Sequence, residues 1–276
     1  MSPTPRLHWW GTVLFVPVLY GLGWLASRPL LLLAPGWRGD QVDLAGVAIA
    51  LVLLLLTLPR RLQQAWGVND AWRHLGVACS DWRSGLKALI RGLLKAVLLL
   101  GPLTLALLLS GQARWLGDLG LAECLNALAL VLGVGFAEEL LFRGWLWGEL
   151  ELLMGERSAL VLQAAIFALL HPWFTVPGGG AFALLGGLWL LGLVLALQRR
   201  ADHGLLWGAV GLHGGLVGGW FALHQGLFEL SPAAPDWLVG PGGANPNPIG
   251  GVIGWVGLSA LLWVRRRWIN EPPQTR

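Results

Sequence analysis

Two acids and an arginine stand close together in FAEELLFRGWLW, Phe136 to Trp147, where nearly every other residue is apolar. Glu139 and Arg143 are four residues apart with the acid first, the favourable order for a helical ion pair. Glu138 points about 100° away around the same helix, and is the acid left over. A charge at mid-bilayer costs roughly 2.5–3.5 kcal/mol even on lenient insertion scales, so an ionisable residue held there is read as functional by default. The plainer alternative is a polar seam between helices. Two histidines lie within other apolar stretches, His171 in FALLH and His213 in GLHGG. Taken singly, each reads as a satisfied packing residue.

Together these side chains suggest a particular chemistry. A carboxylate and two imidazoles with no Ser, Thr or Cys beside them do not make a covalent nucleophile, and Cys124 falls near the far end of its helix. The set suits water activation, with buried Glu138 as general base and the imidazoles positioning water or stabilising an oxyanion. Glu138, His171 and His213 equally form the His₂Glu ligand set of a catalytic zinc ion. No H-E-x-x-H stretch occurs, which removes the usual soluble zinc-protease signature. One bound zinc ion and metal-free water both stay open at this point.

Such residues need elements that bring them together. The 276-residue chain is 55% hydrophobic and only 12% charged, against about a quarter charged in soluble domains. That composition predicts an integral membrane protein, an all-α polytopic helix bundle. About eight apolar stretches reach spanning length: 9–27, 42–58, 87–109, 121–149, 158–175, 181–198, 204–225 and 249–264. Residues 1–120 would hold the first spans and a basic, Trp-rich interfacial segment at about 60–86. Residues 121–225 would form the core that carries the site, and 226–276 an external Pro/Gly loop, the last span and a basic tail. The first stretch lacks a convincing cleavage site and reads as a retained span rather than a signal peptide.

Charge placement sets an orientation. With both termini cytoplasmic, all of the 19 basic residues except Arg28, Arg38, Arg114 and Arg143 fall on the cytoplasmic side, as the positive-inside rule requires. The net charge of +4 is therefore read as a topology signal, and no nucleic-acid partner is expected; the basic residues form no amphipathic face with interleaved aromatics. Several of the 18 tryptophans flank the apolar stretches, as interfacial anchors do. Cys79 and Cys124 lie far apart and form no disulfide or metal spacing. Counted from the cytoplasmic ends of their helices, Glu138 lies about 17 Å deep, His171 about 20 Å and His213 about 14 Å. His224 comes out at about 30 Å, the far surface. His8, His74 and His203 lie outside the spans. Three ionisable groups on separate helices therefore converge on one level.

At these residues the sequence resembles the CPBP family of intramembrane proteases, also called the CAAX-protease or Abi family, relatives of the prenyl-protein-processing endopeptidase. The family motif E-E-x-x-x-R is matched by Glu138 to Arg143, and F-x-x-x-H by Phe167 to His171. The third, H-x-x-x-N, begins at His213 but has Val217 where asparagine is usual. The resemblance covers roughly residues 121–225. It implies that Glu138 activates water with His171, that Glu139 pairs with Arg143, and that His213 serves the oxyanion side. It also implies a membrane protein or peptide substrate, a bilayer setting, and the plasma membrane of a bacterium. An oxyanion donor is worth about 10²–10³ in rate, and valine supplies none. Asn245 and Asn247 are expected on a loop at the far side, too distant to replace it.

Two competing functions follow from the same residues. The Val217 departure motivates a non-catalytic membrane interaction or immunity protein on this scaffold. Buried Glu and His also serve proton relays, which motivates a proton-coupled transporter, against which stands the lack of an internal repeat. The glycines around His213 (Gly208, Gly211, Gly214, Gly215, Gly218 and Gly219) serve either close helix packing or room for a substrate segment.

Overall fold

The computed structural model describes residues 7–33 and 36–269. The terminal residues that the orientation argument uses, Arg6 and Arg276, lie outside them. The chain divides after His74 into two compact units.

The first unit is a helical pair, α1 (Trp9–Ser27) and α2 (Gly39–Trp66). The two backbones close at Gly23, where an added Cβ would press on Gly46 and Ala50. Small residues permit this approach between membrane helices. Arg28 and Asp43 form an ion pair at 2.5 Å, and α2 stops at Gly67, whose φ of 69° is the left-handed C-terminal conformation that glycine adopts without cost.

The second unit carries α3 (Trp82–Leu109), α4 (Leu121–Met154), α5 (Glu156–Leu169), α6 (Gly179–Ala201), α7 (Trp207–Ala222) and α8 (Val252–Arg265). Asp81 caps α3 by accepting from the Arg83 amide at 3.1 Å, satisfying one of the orphan donors of a helix start. A short antiparallel ribbon joins β1 (Ala113–Trp115) to β2 (Phe228–Leu230), with Arg114 opposite Glu229 and paired to it at 2.7 Å. The ribbon seals an apolar cluster of Leu103, Leu107, Phe228 and Val239.

Helix α7 runs through the middle of this unit and is buried along most of its length. Its glycines explain how. A Cβ on Gly211 would strike the Leu89 carbonyl of α3, and one on Gly214 the Val131 carbonyl of α4. Of the two roles open to these glycines, close helix packing is the one their surroundings require.

All eight expected apolar stretches are helical, but six helices are long and apolar enough to cross a membrane among the described residues: α1 to α6. The protein is a multi-pass membrane protein of the helical kind. Helix α7 continues directly into a π-helical stretch, Leu223–Leu227, and α8 into a short turn that carries Arg266 and Arg267. The expected interfacial segment at 60–86 is also redistributed. Its first residues prolong α2 to Trp66, its last belong to α3, and a single helical turn, Ala71–His74, lies in the connection.

Candidate active site

The geometry of α4 sets the site. The stretch Gly135–Glu139 is α-helical and lies between two π-helical stretches, Leu130–Val134 and Leu140–Leu146. Such π turns are rare and concentrate at functional sites. At Gly135 the helix backbone touches α7, since a Cβ there would meet the Cα of Gly214. That approach explains how a carboxylate one turn along α4 reaches the histidine next to Gly214. Glu139 Oε1 accepts from His213 Nδ1 at 2.8 Å and from Arg143 Nη1 at 2.8 Å.

Glu139 and Arg143 are fully buried. A buried charge pair is helped by further hydrogen bonds, and Arg143 Nη2 donates to the Gly192 carbonyl of α6 at 3.4 Å, while Glu139 Oε2 and Arg143 Nε have no hydrogen-bond partner among the described residues. The guanidinium lies 4.1 Å from the centre of the Phe167 ring. Phe167, with no exposed surface, also packs against His171 at 4.3 Å and His213 at 5.6 Å between ring centres. This phenylalanine seats the arginine and both imidazoles at once.

His171 sits just past the last α-helical turn of α5, which ends at Leu169, within the candidate span Glu156–Thr175. Pro172 follows it, and a residue before proline is pushed out of helical conformation. The ring is held by its Nδ1, 2.6 Å from the Phe167 carbonyl. Its Nε2 lies 3.4 Å from Glu138 Oε2, and His213 Nε2 lies 3.8 Å from the same oxygen. Glu138, His171 and His213 are thus brought together, as their depths suggested.

Proton positions follow from these partners. Both Nδ1 atoms face oxygens that can only accept, a carbonyl for His171 and a carboxylate for His213, so Nδ1 carries the proton in each neutral ring. Each Nε2 is then a lone pair aimed at Glu138. The Glu138 side chain is 30% exposed and that of His171 23%, while Glu139 and Arg143 show none. The reachable acid is Glu138, and the sealed one is structural in placement.

The sequence also left a His₂Glu metal site open at Glu138, His171 and His213. Among the described residues no three His, Cys, Asp or Glu side chains are arranged to hold a metal ion. The three groups do not fit one as placed here.

Several partners escaped the sequence reading. Gln163, buried in α5, donates to the Gly192 carbonyl at 3.2 Å, the same oxygen that Arg143 uses. Arg199, also buried, donates to the Arg143 carbonyl. A lone amide in an apolar helix, four residues before Phe167, was the available signal for Gln163. The bond from His213 to Glu139 carried none, because it depends on the closeness of Gly135 to Gly214. Val217 lines a cavity with His171 and His213, and Asn245 and Asn247 line the same cavity. The loop that carries those asparagines thus borders the cavity of the site, although no distance brings them to the histidines. The chain folds back, with Trp220 Nε1 donating to the Pro246 carbonyl at 2.8 Å.

Residues 120–218 match the family model described as type II CAAX prenyl endopeptidase Rce1-like. This segment, which contains every residue of the cluster, is related to the CAAX-protease family. Residues 1–70 match a second model, a domain of unknown function (DUF8676). No curated protein and no solved structure matched the chain.

Proposed function

We propose that the protein is an intramembrane endopeptidase that hydrolyses a peptide bond with water activated by Glu138 and His171, in the plasma membrane of a bacterium. The observation that carries this reading is the convergence of two imidazole lone pairs and a carboxylate at Glu138 Oε2. Acceptors that face one another favour a hydrogen-bond donor between them, and water, with two O–H groups, is the donor that hydrolysis needs. Glu138 takes a proton from water as its oxygen attacks the carbonyl carbon of the substrate, and later returns that proton to the departing amine nitrogen. The hydroxyl ends on the new carboxyl group, and the proton on the new amine.

Glu139 accepts from the Nδ1–H of His213, which fixes that ring with its Nε2 lone pair toward the same water. Arg143 holds Glu139 in place for that purpose. In lipid vesicles the purified protein should cut members of a mixture of apolar peptides. Glu138→Gln should lower the rate by about 10²–10⁴, and an undiminished rate would sink the assignment.

One observation favours a second reading. Val217 puts an apolar side chain in the cavity where the resembled family has asparagine. A scaffold that binds a membrane partner without cutting it would tolerate that change. Partner binding that survives both Glu138→Ala and His171→Ala would decide for it.

A further inference from the structure

The cavity that contains the two histidines extends well beyond them. It measures about 320 Å³ and runs along α7 from His213 past Val217 to His224 and Gln225, with Asn245 and Asn247 of the Pro/Gly loop on its outer wall. The eleven steps from His213 to His224 rise about 16 Å, the length of roughly five extended residues. Leucines of α6 and α7, with Val217, make its middle apolar, and polar side chains stand only at its two ends. No carboxylate is among its lining residues.

The outer polar groups have fixed hydrogen-bonding roles. The Gln225 amide nitrogen lies 2.9 Å from His224 Nδ1, so that nitrogen accepts and the ring proton sits on Nε2. Trp220 stacks on the same ring, 5.9 Å between centres. Asn247 Oδ1 accepts from the Ile249 amide at 3.1 Å, which turns its NH₂ group into the available end. Two donors are therefore held at a rim where Gln225 and Asn245 are exposed. Donors without acids, above an apolar trough, suit the carbonyl oxygens of a polypeptide main chain.

We propose that His224 and Asn247 are substrate-binding residues, holding the main chain of an extended apolar peptide about five residues from the bond that is cut, and that the peptide enters from the loop end of the bundle. This rests on the hydrolytic reading above. It assigns to the Pro/Gly loop the role of an outer wall for the substrate, and makes the segment that binds there short and apolar in its middle.

The test uses the full chain carrying Glu138→Gln in lipid vesicles. The probe is a decapeptide of alternating leucine and alanine with a photoreactive benzoylphenylalanine at one end. Adducts on His224–Gln225 or on residues 240–248, with yields falling about tenfold in His224→Ala and Asn247→Asp, support the proposal; tenfold corresponds to about 1.4 kcal/mol, one hydrogen bond. Asn247→Asp keeps the oxygen that caps Ile249, so the loop retains its fold while the donor is lost. Adducts at the Arg199–Arg200 end of α6, no adduct, or yields unmoved by both variants overturn it. Adducts at the rim in a protein whose wild-type form cuts no peptide would count against hydrolysis and leave the binding assignment standing. Cutting by wild type, with adducts elsewhere, would do the reverse.

Discussion

Arg143 and Glu139 form the pair on which the rest of the site leans. Both are sealed from solvent, so removing one leaves an uncompensated buried charge. Arg143→Met should therefore cost about 3–5 kcal/mol, read as a lower thermal midpoint in detergent. Changing both partners to apolar residues should restore much of that loss, because a buried pair is often replaceable by packing. A single variant as stable as wild type would contradict the pairing. This pair was legible in the sequence because four-residue spacing on one helix puts both groups on one side. The bond from Glu139 to His213 was not, since no rule within one helix says which neighbour comes near. Phe167 was visible only as part of a resemblance; its contact with the arginine and both rings is a property of packing.

At the scale of elements, three features place the site: the close approach of α4 and α7, the π turns around Gly135–Glu139, and the early end of α5. The first rests on glycine. Gly214→Leu would drive a side chain into the Val131 carbonyl, so α7 should separate from α4 and the His213–Glu139 bond should break. The expected readouts are a fall in thermal midpoint and loss of the folded species on size-exclusion chromatography. Gly133→Ala on α4, where nothing stands within 4 Å of an added Cβ, should leave both unchanged. Apolar periodicity made the helices readable, while their ends were less so. His171 was placed inside a helix because FALLH continues an apolar run, yet Pro172 ends that run at the turn. The π turns left no mark in composition, and Val217 gave no hint that a distant loop would share its cavity.

The protein is a multi-pass membrane protein whose charge distribution gives a testable orientation. In a background with Cys79 and Cys124 replaced by serine, single cysteines at Ser158 and Thr175 flank α5 and should lie on opposite sides. A membrane-impermeant thiol reagent added outside intact cells should label Thr175→Cys and spare Ser158→Cys. Labelling of both from outside would overturn the orientation. Among the described residues six of the eight expected stretches have the length and apolarity of a crossing, and apolar composition alone does not reveal where each helix stops. Depth was the part of the whole that sequence conveyed well, since antiparallel helices of known rise bring Glu138, His171 and His213 to one level. On this reading the packing makes Glu138 and His171 one unit acting on one water. The most direct measurement is the turnover of Glu138→Gln, His171→Gln and the double variant on the same peptide. Groups that act as a unit lose their effect together, so the double variant should be no slower than the worse single variant. Losses that multiply, or a Glu138→Gln protein that cuts as fast as wild type, would contradict it.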